Sequence, residues 1–222
     1  MTHIKSRRAL PVGLSFQTPG EETANAVLHG AGVLLAITGM VFLVLRNKGY
    51  VNGGTGGPLG VYITFTSTMI SMFLASTLYH AIRHERAKRV LRIIDHAGIY
   101  LFIAGTCTPV CLLGLRGALG WVCFGIEWAC AIAGITLYAV NCKALKKIEI
   151  GVYLMMGWAI VLCWFRLDIP FISFVLLIAG GLAYTLGIFW YIKRSRRGTH
   201  VIWHIFVLAG AAGHWWAIWF MS

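Results

Sequence analysis

The sequence predicts an all-α integral membrane protein, a bundle of seven transmembrane helices with the N-terminus inside the cell and the C-terminus outside. Three observations support this fold class. Of the 222 residues, 59% are hydrophobic and only 12% are charged, whereas about a quarter of the residues in a soluble domain are charged. The apolar residues form seven segments, each close to the ~20 residues that cross a membrane as a helix. The Lys and Arg residues lie in or beside the short loops between these segments.

The first three predicted spans follow segments that interrupt a helix or carry charge. The span at 24–45 follows a basic, polar arm at residues 1–23. This arm lacks an apolar core before a cleavage site, so we expect it to stay in the cytosol. The loop RNKGYVNGGTGGP precedes the second span, 58–82, because Gly and Pro interrupt helices. A basic loop at 83–90 then leads into the third span, 91–114.

The last four predicted spans are separated by short loops that contain charge, Gly or Pro. The fourth is 119–140, and the fifth, 148–165, is the shortest at about 18 residues. The segment RLDIP precedes the sixth, 171–192, and a basic loop precedes the seventh, 201–220. The seventh ends in HWWAIWF, which is typical of the aromatic belt at a membrane interface. No stretch remains for a soluble domain, so we expect all 222 residues to form one domain.

The basic residues predict the orientation of the bundle. Fifteen of the 19 Lys and Arg residues lie in the N-terminal arm and the second, fourth and sixth loops, and four lie on the opposite side. Cytoplasmic loops carry the excess of Lys and Arg, so the N-terminus is expected inside. The net charge of +12 is therefore interpreted as orientation signals and contacts with lipid head groups. We expect membrane lipids, and not nucleic acid, as partners.

Polar residues from three spans are predicted to lie at one depth near the cytosolic face. His80 lies at the inner end of the second span, with Ser76 one turn deeper on the same face. Asp95 lies about one turn into the third span, and His200 and His204 open the seventh. Ionisable groups inside a membrane are costly and are usually functional.

This set of residues predicts a zinc site. Neutral imidazoles suit zinc, and the three ligands His80, His200 and His204 would leave a fourth position for water. Asp95 would then be the partner of that water, as a general base, and Ser76 would hydrogen-bond the water or the acid. The alternative is that these histidines only pack or form hydrogen bonds near the interface.

Other polar residues in the spans allow more than one interpretation. Glu22, Asn25 and His29 follow each other at i, i+3 and i+7 at the start of the first span. They either support the metal ligands or form a helix cap beside a packed histidine. Glu127 lies in the middle of the fourth span, roughly 20 Å from the histidines, and His214 lies in the outer half of the seventh. The sequence assigns no role to either.

Five segments resemble the bacterial hemolysin III proteins, the prokaryotic branch of the progestin and adipoQ receptor family. They are EETANAVLHGAG, SMFLASTLYHAI, RIIDHAGIYLFIAGTCTPV, YLMMGWAIV and HVIWHIFVLAG, and the resemblance covers residues 20–220. It implies seven spans, a cytosolic N-terminus and a location in the bacterial inner membrane. It also implies that His80, His200 and His204 bind zinc, with Ser76 and Asp95 matching the family's serine and aspartate. The short N-terminal arm does not favour a hormone-receptor role.

The resemblance extends to alkaline ceramidases and so implies chemistry on a lipid. The first hypothesis is a zinc-dependent hydrolase of a ceramide-like lipid amide, or a lipid sensor that uses the same site for a lipid-like ligand. The second is a non-enzymatic regulator of membrane lipids with structural zinc. The third is the pore-forming cytolysin that the family name implies. The sequence predicts no oligomeric state.

Overall fold

A computed structural model describes residues 17–51, 57–193 and 196–222. The described residues contain no strand and form seven helices that are long and apolar enough to cross a membrane. The predicted fold class of a seven-helix membrane bundle is therefore confirmed, whereas the orientation of the termini stays a prediction. The helices are α1 Pro19–Asn47, α2 Leu59–Ala81, α3 Glu85–Pro109, α4 Gly117–Ala139, α5 Lys143–Ala159, α6 Phe171–Ile192 and α7 Thr199–Met221.

The first helix begins before the predicted span. Thr18 caps it: the Glu21 backbone N–H donates to the Thr18 hydroxyl at 3.3 Å, and the Thr18 backbone N–H donates to the Glu21 carboxylate at 2.6 Å. This reciprocal pair satisfies backbone donors at a helix start, and Pro19 suits the first helical position. The last five residues of the predicted arm are therefore helical. The arm before Gln17 lies outside the described residues.

The third helix also begins earlier than the predicted span and shortens the expected loop at 83–90. It begins at Glu85, where the Ala87 backbone N–H donates to the ring of His84 at 3.4 Å. The first turns of α3 contain many basic residues. Hydropathy detects only apolar segments, so these turns were assigned to the loop. At its other end α3 continues as a π-helical segment, Val110–Leu115, and α5 continues as a 3₁₀ segment, Ile160–Arg166.

The packing order of the helices brings distant parts of the chain together. Helix α1 packs between α2 and α7, α2 packs against α3, and α6 packs against α7. The main core contains Phe65 and Phe73 from α2 and Val207 from α7. The Glu21 carboxylate also accepts a hydrogen bond from the Gly198 backbone N–H, which ties the start of α1 to the start of α7. The polar ends of α1, α2, α3 and α7 consequently meet.

Candidate metal centre

Three histidine side chains from α2 and α7 converge at the end of the bundle where α1 begins. The Nε2 atoms of His80 and His204 are 3.2 Å apart. One ring nitrogen from each of His80, His200 and His204 lies within 4.8 Å of the other two. His80 and His204 are buried and His200 is partly buried. This cluster can hold a metal ion.

The second ring nitrogen of His80 is fixed by an acid from α1. His80 Nδ1 lies 2.7 Å from one carboxylate oxygen of Glu22, and the Lys88 ammonium from α3 lies 2.8 Å from the other. An ionised carboxylate only accepts hydrogen bonds, so the Nδ1–H of His80 donates to it. When His80 has its single ring proton on Nδ1, Nε2 presents a lone pair. Metal-binding histidines almost always have such a partner on the ring nitrogen that faces away from the metal.

The second ring nitrogen of His204 is contacted by another histidine. His204 Nδ1 lies 2.6 Å from His29 Nε2, and both side chains are buried. If His204 donates to His29, the Nε2 lone pairs of His204 and His80 face each other, as they do around a shared cation. If His29 donates instead, His204 donates to His80 and the three form a hydrogen-bonded chain. The first pattern, with a ring nitrogen of His200 nearby, is the one that a shared metal ion requires.

The predicted acid and serine lie next to the histidines. Asp95, on α3, lies beside Ser76 and within electrostatic range of His80. Ser76 is buried, and its hydroxyl makes no hydrogen bond of normal geometry with any described residue. The structure therefore brings Ser76 and Asp95 close to His80, although Asp95 lies ten residues into α3 and not about one turn. Their roles as proton carrier and water partner stay predictions.

The three residues predicted near the start of α1 divide into two groups. Glu22 and His29 contact the histidine cluster, whereas the amide of Asn25 donates to Gln17 at 3.4 Å. Asn25 is fully buried, and its Oδ1 has no partner among the described residues. The helix cap is made by Thr18, so none of the three forms it.

Sequence reasoning missed Lys88, which it placed in a basic loop. A signal existed, because Lys88 lies seven residues before Asp95 and therefore on the same face of a helix that begins early. Glu127 and His214 contact none of these histidines in the described hydrogen bonds and ring contacts. Glu127 is buried and one of its oxygens has no partner among the described residues.

An apolar cavity has one lining residue, Tyr191, in the neighbourhood of His200. It has a volume of about 130 Å³ and lies between α3, α5, α6 and α7. Tyr191 and Trp203 line it, and the ring centre of Tyr191 is 6.2 Å from that of His200. The wall continues through Phe102 and Val207. A hydrocarbon chain in this cavity would therefore have one end near the histidine cluster.

Comparison with known proteins places this arrangement in a family. The model of the haemolysin-III-related family matches residues 17–215. The hemolysin-3 homolog of Bacillus subtilis strain 168 is 38% identical over 202 residues, covering 90% of this chain and 93% of the relative. Hemolysin-3 of Bacillus cereus is 36% identical over 194 residues, covering 86% and 87%.

A more distant relative is the human monocyte to macrophage differentiation factor. It is 27% identical over 222 residues, covering 96% of this chain and 90% of the relative. This match supports the relationship to the progestin and adipoQ receptor family. Together with the family match over almost the whole chain, these similarities show that the protein is a multi-pass membrane protein that belongs to the haemolysin-III-related family.

Proposed function

We propose that this protein is a zinc-dependent hydrolase of a lipid amide, acting at the cytosolic side of a bacterial inner membrane. The observation that supports this proposal most is the convergence of three imidazole nitrogens beside a carboxyl group, with Tyr191 between them and an apolar cavity. Each part has a counterpart in the reaction: a metal centre, a proton carrier and a site for a hydrocarbon chain.

Zinc is the proposed metal because the donors are imidazoles, which suit this ion. Two nitrogens bound to one tetrahedral zinc ion at about 2.0–2.1 Å lie about 3.4 Å apart. The 3.2 Å separation of the Nε2 atoms of His80 and His204 is close to that value. Glu22 and His29 hold the opposite ring nitrogens and would orient both imidazoles toward the ion.

The chemistry of the site depends on the metal and on Asp95. When bound, zinc would lower the pKa of a water molecule and polarise the substrate carbonyl. Asp95 would take the proton of the attacking water and deliver it to the leaving amine, which is the role of a general acid–base group. Ser76, whose side chain lies beside Asp95, would position that carboxyl group through its hydroxyl.

The cavity supports a lipid as the substrate. It lies between membrane-spanning helices and its wall is mostly apolar, so an acyl chain from the bilayer is the occupant that fits it. Tyr191 and Trp203 join this wall to the histidine cluster. An acyl chain in the cavity would place its carbonyl group near the proposed zinc ion.

Metal content and turnover test the proposal together. We expect about one zinc per chain in the purified protein and a large loss in His80→Ala, His200→Ala and His204→Ala, because the remaining imidazoles no longer converge. The control is His84→Asn, at an exposed histidine that caps α3. Zinc content that is unchanged in all three variants would contradict the assignment.

The same preparations separate a hydrolase from a sensor. Wild-type protein should cleave a ceramide-like amide, and Asp95→Asn should retain zinc but lose 10²–10⁴-fold in rate, as is typical when a general base is removed. Zinc and lipid binding without turnover in the wild-type protein would favour the second candidate, a lipid sensor that uses the same cavity.

A further inference from the structure

Two polar side chains line the cavity at the end away from the histidine cluster. They are Tyr184 on α6 and His214 on α7, whose ring centres are 5.4 Å apart. His214 lies ten residues after His204 on the same helix, a rise of roughly 15 Å. The pair is therefore far from the proposed metal and has no part in the hydrolysis described above.

Three other polar side chains that line the cavity, those of Thr106, Trp158 and Thr185, have partners. The Thr106 hydroxyl donates to the Phe102 carbonyl at 2.9 Å. The Thr185 hydroxyl donates to the Gly181 carbonyl at 2.8 Å and accepts from the Trp158 indole N–H at 3.0 Å. These groups are satisfied within the protein, as buried polar groups usually are.

Tyr184 and His214 are different because each has a buried atom without a partner among the described residues. His214 Nε2 lies 3.1 Å from the Leu177 carbonyl, which can only accept, so Nε2 carries the proton. Nδ1 of neutral His214 is then an acceptor, and it has no partner among the described residues. The Tyr184 hydroxyl is buried and lacks a partner in the same part of the chain.

Each of the two rings packs against a glycine of the neighbouring helix. A Cβ atom at Gly180 would overlap the ring of His214, and one at Gly210 would lie 2.6 Å from the ring of Tyr184. Gly180 and Tyr184 are on α6, and Gly210 and His214 are on α7, so each helix provides the space for the polar ring of the other. This reciprocal packing fixes both rings against the cavity wall.

We propose that Tyr184 and His214 bind a hydroxyl group carried on the hydrocarbon chain of the lipid. A hydroxyl group can donate to His214 Nδ1 and accept from the Tyr184 hydroxyl at the same time. A buried polar group without a partner is costly, so a ligand that satisfies both atoms is favoured over a plain hydrocarbon chain. The inference rests on the proposed function for the lipid occupant and adds a substrate class, the hydroxylated acyl chain.

Competition between matched fatty acids tests this inference. Stearic acid and a series of monohydroxy stearic acids, with the hydroxyl moved along the chain, are mixed with the full-length protein in detergent. Bound ligands are then counted by native mass spectrometry. We expect one hydroxyl position to be preferred about tenfold over stearic acid, since two neutral hydrogen bonds are gained. Equal binding at all positions would overturn the inference and would indicate that water satisfies the pair.

Variants connect the preference to the two side chains. Tyr184→Phe should reduce the preference to about threefold, because one of the two hydrogen bonds is lost, and His214→Phe should reduce it further. Tyr184→Phe should not lower the melting temperature of the ligand-free protein, because the hydroxyl removed has no partner there. The control Thr106→Val removes a satisfied cavity hydroxyl and should leave the preference unchanged. A preference unaffected by Tyr184→Phe would contradict the assignment.

The readout separates this inference from the proposed function. Chain-hydroxyl preference requires no zinc, so it should persist in His80→Ala even if zinc or hydrolysis is absent. If fatty acids bind with no hydroxyl preference while zinc-dependent turnover is intact, only the inference fails. If no fatty acid binds at all, both the acyl-chain site and the hydroxyl site are wrong.

Discussion

At the scale of single residues, Glu22 connects three helices through its two carboxylate oxygens. One oxygen accepts from His80 on α2 and the other pairs with Lys88 on α3. The side chains of Glu22 and Lys88 are little exposed, so the ion pair between them is shielded from solvent more than a surface pair. Glu22 thus fixes the ring of one proposed metal ligand and neutralises a partly buried ammonium group.

Replacing Glu22 should weaken metal binding without removing a ligand. We expect Glu22→Gln to lower zinc affinity by about 10–100-fold, as is typical when the partner of a metal-binding histidine is changed. The measurement is zinc competition with a chelator of known affinity. Glu85→Gln is the control, since it also removes one carboxylate charge but lies at an exposed position at the start of α3. Equal affinities in both variants would contradict the role of Glu22.

Part of the site could be predicted from residue spacing, and part could not. The i, i+4 pairs Ser76–His80 and His200–His204 define helix faces, and their positions at the ends of the predicted spans indicated that they lie at one level. The contact between His29 and His204 depends on the relative rotation of α1 and α7. The spacing of residues within one helix gives no information about the rotation of one helix relative to another. The role of His29 therefore stayed open.

At the scale of helices, the spans could be predicted well and the helix ends less well. Hydropathy detects the part of a helix inside the membrane, so the polar first turns of α3 were interpreted as a loop. The start of α1 did have a signal, because Thr18 and Glu21 have the spacing of a capping box and Pro19 follows the Thr. The π-helical continuation of α3 had no sequence signal that predicted it.

Helix α4 offers a test of how closely it packs on α3. A Cβ atom at Gly134 would overlap the ring of Tyr100, which is fully buried. We expect Gly134→Ala to destabilise the protein by about 1–3 kcal/mol, the usual effect of overpacking. On the same helix Gly125 is exposed and has open space around it, so Gly125→Ala should be neutral or stabilising by up to about 1 kcal/mol.

Thermal unfolding in detergent measures both variants against the wild-type protein. The comparison is matched because both changes add one methyl group to α4 and both favour the helix by propensity. A lower melting temperature in Gly134→Ala alone is the expected result. Similar melting temperatures in the two variants would show that α4 does not approach α3 as closely as the contact between Gly134 and the Tyr100 ring indicates.

At the scale of the whole molecule, the bundle gathers its chemistry at one end. Glu22, His80 and His200 lie near helix ends: the start of α1, the end of α2 and the start of α7. Asp95 lies ten residues into α3, beside Ser76. Described basic residues of the α2–α3 and α6–α7 connections lie at the same end, among them Arg83, Lys193 and Arg197. Orientation in the membrane therefore decides which compartment supplies water and metal to the proposed site.

The basic residues predict that this compartment is the cytosol. Fifteen Lys and Arg residues lie in sequence segments on the side of the N-terminus and four on the other, and such an excess marks the cytoplasmic side.

Two reporter fusions test this orientation. Alkaline phosphatase is active only outside the cytosol, and green fluorescent protein fluoresces only inside it. Each reporter is fused separately after Ser222. We expect an active phosphatase and a dark fluorescent protein. As control, the same reporters after Arg197 in a truncated chain should give the reverse, because the α6–α7 connection is then cytosolic. Fluorescence after Ser222 would place the histidine cluster at the outer face and exclude a cytosolic reaction.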